Sequence, residues 1–365
     1  MPIRIRPYEE DHVAAVRDFN RRLSGRTFPF PESAVPEWLP PAPGSHLYQE
    51  QYLALDGGAV RGGYILKLQD FSLAGAALPI GYYHSAVAEG IADPKYGTVG
   101  VQLLLDALRR SPLLYALGMG GFDRPLPQML QAAGWTLGAV PFHFRVAHPA
   151  RFLRNIRPLR ANRARRTAMD LAAFSGAGWA GLRLVQLLRT RRPQPAPVAE
   201  IVPSFGDWAD DVWHKSRLHY PFLAVRDRET LETLYPGARF LRLKIAAGGS
   251  LLGWAVALDT AMQQDQYFGN MRLGSLVDFL AKPEDAFPVV HAAAAFLAGR
   301  GVDLIVANQG HAAWTAAFHR AGFWQGPSNF LFGASRALAK RLPGGGSDPG
   351  QLFLTRGDGD GPIHL

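Results

Sequence analysis

The chain has 365 residues, 48% of them hydrophobic and 11% aromatic, a length and composition that suit two folded domains with separate cores. The absence of cysteine excludes disulfides, thiolate metal sites and a cysteine nucleophile, and no run of 18 uninterrupted apolar residues offers a membrane span. The formal net charge of +9 is concentrated: 11 arginines against one acid, Asp170, lie between Arg151 and Arg192, and the rest of the chain is close to neutral. The opening Met-Pro-Ile-Arg-Ile-Arg lacks a signal peptide's apolar core, so a cytoplasmic location is expected.

In chain order, Ile3 to Arg6 alternates as a short strand, and Pro7 to Leu23 reads as a helix with acids in its first turn. Prolines enforce a loop across 26–45. Gln51 to Leu55 and Gly63 to Leu68 flank the hairpin signal Asp56-Gly57-Gly58. From Ile80 the chain reads as strand, small-residue loop and amphipathic helix, with Asp93-Pro94 closing the strand and Val99, Leu103, Leu104, Ala107 and Leu108 at helical spacing. A strand Leu113 to Leu117, a helix Pro125 to Ala133 ending at Gly134-Trp135, and an aromatic strand Ala139 to Val146 follow. The same grammar returns after the arginine-rich segment. Phe240 to Ile245 and Leu251 to Leu258 form a hairpin, Gly274 to Leu280 is a strand, and Ala286 to Ala298 is a helix. A strand Val302 to Ala307, a helix Ala312 to Ala321 closed by Gly322-Phe323, and a strand Asn329 to Phe332 complete it. Leu126 to Trp135 (LPQMLQAAGW) and Trp314 to Phe323 (WTAAFHRAGF) correspond closely, so an internal repeat of about 150 residues is the simplest reading.

Small residues at a helix start let an anion approach the free amides of the first turn. The run Lys95-x-x-Thr98-x-Gly100, followed by Leu103-Leu104, resembles the Q/R-x-x-G-x-G/A turn with which the GNAT N-acyltransferase superfamily holds the pyrophosphate of acetyl-CoA; lysine and threonine are the two departures. The order of elements, and Asn308-x-x-His311 through Phe318-x-x-x-Gly322-Phe323 in the second half, resemble the same superfamily. The resemblance implies an α/β (α+β) fold of two tandem GNAT-like domains, each a mixed, mostly antiparallel sheet flanked by helices. The expected limits are 1–149 for the first domain, 150–198 for an arginine-rich helical connector, 199–340 for the second domain and 341–365 for a glycine-rich tail with a short strand at Gln351 to Thr355.

What the resemblance implies for function is acyl transfer from acetyl-CoA or another acyl-CoA co-substrate to an amine or hydroxyl of a small-molecule acceptor, such as an amino sugar or cell-envelope precursor. Lys95, Thr98, Val99, Gly100 and Val101 would hold the pyrophosphate. A carboxylate or histidine near the end of the fourth strand suits a general base, which singles out Glu89, with His84 and Ser85 on the same strand. The family's general-acid position falls on Leu130 and Phe318, which donate no proton. Turn Ala281 to Pro288 has no glycine and carries Glu284 and Asp285, so the acyl-CoA site belongs to the first half and the second supplies acceptor surface, with Trp213, His214, Tyr267, Asp278 and Asn308 as candidates. The histidine spacings match no metal motif, and no metal is expected.

Two other readings remain open from sequence. One is a Fem-type transferase taking an aminoacyl group from tRNA; the other is a non-catalytic GNAT-fold binding protein at the inner membrane face. In either, the arginines from Arg151 to Arg192 would meet a polyanion or anionic lipid, whereas in the main reading this segment packs as a helix with its arginines in water.

Overall fold

The computed structural model describes residues 3–36, 46–156, 180–181, 184, 186, 189–265 and 267–359. Most of the arginine-rich connector, including the amphipathic stretch expected from Thr167 to Leu188, lies outside them. Strands are β1 (Arg4–Pro7), β2 (Leu47–Asp56), β3 (Ala59–Leu73), β4 (Ala76–Ala88), β5 (Leu114–Leu117), β6 (Thr136–Ala139), β7 (Phe142–Val146) and β8 (Val198–Val202). They continue as β9 (Phe222–Ala224), β10 (Leu241–Ala247), β11 (Ser250–Ala261), β12 (Arg272–Ala281), β13 (Leu304–Asn308), β14 (Trp324–Gly326) and β15 (Leu331–Ala334). Among the described residues the helices are α1 (Val13–Arg22), α2 (Val99–Arg110), α3 (Pro125–Ala132), α4 (Pro149–Asn155), α5 (Asp207–Ser216), α6 (Arg228–Leu234), α7 (Ala286–Gly299), α8 (Ala312–Arg320) and α9 (Arg336–Ala339). None is long and apolar enough to cross a membrane.

The chain forms two compact units. Unit 1 comprises Met1–Gly138 with Leu331–Ser347, and unit 2 comprises Ala139–Phe330 with Asp348–Leu365. Each holds one mixed sheet, ordered β1-β2-β3-β4-β5-β15-β6 in unit 1 and β14-β7-β13-β12-β11-β10-β8 in unit 2. In each, one neighbouring pair is parallel, β4 with β5 and β12 with β13. The expected architecture of two mostly antiparallel sheets with flanking helices is what the chain adopts.

Sequence order alone would assign β7 to the first half and β15 to the second. The structure reverses both. Phe142–Val146 pairs with β13 in unit 2, and Leu331–Ala334 pairs with β5 in unit 1, so the repeats exchange equivalent strands. Both strands follow the same local motif, which is why their destinations cannot be read locally. Gly134 and Gly322 end the preceding helices at φ +79° and +84°. In each case the next amide reaches back across the last turn, Trp135 N to Leu130 O and Phe323 N to Phe318 O, both at 3.0 Å. This is the glycine-terminated helix end that satisfies carbonyls left over by the last turn.

Local chemistry explains the other elements. Gly57 and Gly58, both at positive φ, close the β2–β3 hairpin with Asp56 opposite Ala59, the two-residue turn whose twist matches the strands. On α2, Val99, Leu103, Leu104 and Ala107 bury one face against Tyr64, Leu66 and Tyr83 of the sheet. Helix α1 places Val16 and Phe19 over Leu53, Ile65 and Val87 on the other strands' apolar positions. Each such side chain contributes about 1.5–3 kcal/mol by leaving water. The strand expected at Gln351–Thr355 is instead an extended stretch between two 3-10 turns, Pro349–Gln351 and Arg356–Asp358.

The exchange is testable through Gly333, at the middle of β15, where a Cβ would stand 2.6 Å from Leu137 Cδ2 and 3.2 Å from Met119 Cε. Gly333→Val should therefore destabilise unit 1 by about 1–3 kcal/mol through overpacking. Hydrogen exchange should show the loss in β5 and β6; a loss confined to unit 2 would contradict the pairing.

Candidate functional site

The fourth strand of unit 1 is built to leave its neighbour. Its pairing with β5 extends only through Gly81 opposite Leu114 and Tyr82 opposite Tyr115, although β4 runs on to Ala88. The register with β3 shifts so that Ser85 and Ala86 together oppose Tyr64, a bulge, and Ser85 takes φ +50°. A non-glycine residue in that region stores about 1–3 kcal/mol of strain and bends the strand.

Beyond the bulge the chain turns sharply. Gly90 packs against Tyr96 O and Gly97 Cα, which a Cβ would approach to 2.7 and 2.8 Å. The Asp93 carboxylate accepts from Lys95 N at 3.0 Å and fixes the Pro94–Tyr96 turn. Helix α2 then starts with Thr98 as N-cap, and the first amide bonded backward is that of Gln102, to Thr98 O at 3.0 Å. The amides of Thr98, Val99, Gly100 and Val101 have no backbone partner among the described residues, as expected of a first helical turn. Thr98 is exposed, and Val101 is 46% exposed. At Gly100 a Cβ would meet only Met129 Sδ at 3.7 Å and Ala88 Cβ at 3.8 Å, which places the helix start beside the end of β4. Val99 is fully buried, so of the expected four donors the amides of Thr98, Gly100 and Val101 are the ones a diphosphate could reach, at the positive end of a helix dipole and with room for close approach at Gly100. Lys95 is exposed, with its ammonium 5.4 Å from the Tyr96 ring centre.

His84 and Ser85 are brought together, His84 Nδ1 lying 3.1 Å from Ser85 Oγ. The imidazole stacks on Tyr82 at 4.6 Å between ring centres, and its Nε2 lies 3.3 Å from the Gln49 amide nitrogen. Tyr82 in turn donates its hydroxyl proton to Leu117 O at 3.0 Å, at the end of β5.

Glu89 is placed differently from a free base. Arg22 of α1 donates through Nε at 2.9 Å and Arg61 of β3 through Nη1 at 3.0 Å, and the carboxylate is nearly buried. Burial alone would raise its pKa; hydrogen bonds from Arg22 and Arg61 outweigh this and hold it below the ordinary 4.5. A carboxylate so held is a weak base and a strong tether between α1, β3 and the end of β4. Arginines 22 and 61, Gln49 and the fully buried Lys67, whose Nζ lies 5.3 Å from the Tyr82 ring centre, escape sequence reading. Lys67 and Gln69 alternate with Leu66 and Leu68, a pattern that ordinarily marks a solvated strand face.

In unit 2 the proposed acceptor residues do not converge. Trp213 is core, His214 is exposed on the same helix, and Tyr267 is 49% exposed. Asn308 is buried, donating to Pro141 O at 3.4 Å. Asp278 is fully buried, accepting from Arg226 Nε at 3.0 and 3.1 Å and from the Tyr235 hydroxyl at 2.7 Å. Burial works against the Arg226 charge, but Asp278 and Asp358 more than compensate and raise its pKa. No hydrogen bond, ion pair or ring contact joins any two of the five among the described residues. Leu130 and Phe318 are both fully buried core side chains. The described residues hold one cluster with metal-ligand geometry, Glu9, Asp11 and His12; Glu9 and His12 form the capping box that opens the turn before α1.

No family model and no curated protein matches the sequence. Solved structures do. A probable N-acyltransferase from Enterococcus faecalis V583, described as a conserved protein of unknown function, superposes with TM-score 0.51 at 10% identity over 94% of this chain and 75% of that one. Saccharomyces cerevisiae N-myristoyltransferase with bound myristoyl-CoA superposes with TM-score 0.51 at 8% identity over 92% of this chain and 79% of that one. At such identity the likeness is one of fold, the fold that this chain shares with these two acyltransferase structures. Within that fold this chain is built as two units, each with one mixed sheet, that exchange strands.

The Glu89 tether carries a pH signature. Because its folded pKa is depressed, its contribution to stability is fully present above about pH 4.5 and is lost as the pH falls through the lower folded value. Glu89→Gln should cost about 2 kcal/mol at pH 7 and lose less further stability than the parent on acidification. Urea denaturation between pH 3 and 7 measures both, and parallel curves would contradict the ion pair.

Proposed function

We propose that unit 1 transfers an acyl group from a CoA thioester, acetyl-CoA being the simplest, to an amine or hydroxyl of a small-molecule acceptor. The observation that carries this reading is the parting of β4 from β5 beside a helix start whose first-turn amides have no backbone partner among the described residues. The co-substrate supplies an activated carbonyl carbon. The first-turn amides of Thr98, Gly100 and Val101 hold its diphosphate, with Lys95 adding positive charge at the rim. The acceptor's lone pair attacks the carbonyl; the new C–N or C–O bond forms as the C–S bond breaks, and CoA leaves as its thiolate.

His84, rather than Glu89, is assigned the proton. The acceptor's proton passes to Nδ1 by way of the Ser85 hydroxyl, 3.1 Å away. An amide such as Gln49 presents either its NH2 or, turned over, its oxygen, so it follows the ring through both protonation states. Glu89 keeps the strand end in place through Arg22 and Arg61. No proton donor stands at Leu130, which accords with a thiolate that leaves without help near neutral pH.

Two substitutions test this reading together. Gly100→Glu adds an acid that the first turn of a helix tolerates, so the variant should fold and yet lose measurable affinity for acetyl-CoA in calorimetry. His84→Ala should keep donor affinity and lose about 100-fold or more in acyl-transfer rate, read as CoA thiol release. Unchanged donor affinity in the first variant would remove the diphosphate assignment; an unchanged rate in the second would remove the base.

A further inference from the structure

Unit 2 repeats the parting of strands. Its β12 pairs with β13 only through Leu276 opposite Ala307, then carries a bulge at Val277 and continues to Ala281 paired with β11 alone. What lies in the opening is the chain itself. From the β13 side, Gly310 N donates to Leu354 O at 2.9 Å and His311 N to Leu352 O at 2.7 Å, and Gln309 forms an antiparallel bridge with Thr355. From the β12 side, Thr355 Oγ1 donates to Asp278 Oδ1 at 2.9 Å. Asp358 accepts from Arg226 Nη2 at 2.8 Å, on the same guanidinium that holds Asp278. Leu352, Phe353, Leu354 and Thr355 are all fully buried. The Phe353 ring meets Tyr220 edge-on at 4.7 Å. The fit leaves no slack: a Cβ on Gly310 would overlap the carbonyl oxygens of Leu352 and Pro349, and one on Gly357 would overlap the Tyr235 hydroxyl.

We propose that Asp348–Gly359 is a built-in ligand of unit 2, occupying the opening through which such a unit would admit a thioester, so that the chain takes one acyl donor and takes it in unit 1. A buried aspartate on Arg226, a threonine on Asp278 and two backbone bonds to the end of β13 give this segment the contacts of a bound peptide. The Glu284-Asp285 pair at the start of α7 adds negative charge where a diphosphate would have to sit. The count of donors rests on the acyl-transfer reading of unit 1; the occupancy of the opening does not.

The two are tested separately on the full chain. Calorimetric titration with acetyl-CoA should give one site per chain, abolished by Gly100→Glu; two sites, or one that survives the substitution, would overturn the proposal. No binding at all would defeat the acyl-transfer reading and leave occupancy to hydrogen exchange. There, the amides of Gly310, His311 and Gly357 should be protected on the order of 1,000-fold or more relative to an unstructured chain. Exchange at the rate of an open loop would overturn the proposal whatever the titration shows. Gly310→Ala should push the segment outward and speed exchange across 352–358 at least ten-fold, with donor binding by unit 1 retained. Unchanged exchange in a folded variant would equally count against it. Should that variant not fold, the parent's protection decides alone.

Discussion

A parallel strand pair that separates halfway along its length is the constraint on which both units are built. Backbone groups on a strand that loses its neighbour must find new partners, face water or meet a ligand. Here the separation is produced the same way twice, by one extra residue on the fourth strand of each sheet, and resolved in two ways. In unit 1 the departing strand leads into a turn and a helix whose first-turn amides have no backbone partner among the described residues, the end of a helix that favours an anion. In unit 2 the equivalent opening is bonded from both sides by the segment Leu352–Asp358, through Asp278, Arg226 and the end of β13. The same backbone device thus leads in one unit to a helix start and in the other to a segment of the chain itself, and the difference lies in side chains and in a short peptide.

The charges near the openings follow this division. In unit 1 the one nearly buried acid, Glu89, is tied to two guanidiniums that reach it from different elements, so its work is mechanical: it fixes the strand end against α1 and β3. At the bulge, His84 is held with its ring flat on Tyr82 and beside the Ser85 hydroxyl. In unit 2 the fully buried Arg226 faces two aspartates, an arrangement that is costly to open because removing any member strands a charge away from water.

Much of this was legible in the residues. The apolar spacing of α2, the two glycine-ended helices and the paired glycines of the β2–β3 turn each dictate local structure by sterics and burial alone, and all appear where the sequence places them. The turn that opens α2 was legible as small residues after Asp93-Pro94. Other features were not, because they depend on contacts between distant segments. Nothing in Phe142–Val146 or Leu331–Ala334 tells which sheet each completes. Glu89 looks like an available carboxylate until Arg22, 67 positions earlier, and Arg61 are seen to reach it. Asp278 looks like a surface for acceptors until a segment nearly 80 residues later covers it. Lys67 shows that alternation of polar residues along a strand reports a face, not its exposure.

The strand exchange also sets an order of assembly. Unit 1 needs Leu331–Ala334 for its sheet, so on a ribosome residues 1–138 wait, with the edge of β5 uncovered, until that strand has emerged. Neither half, cut at the middle of the sequence, would carry all of its own strands. Each unit is thus closed by a strand that comes from the other half of the sequence, so a break in the chain can damage a sheet at a place far along the sequence from it.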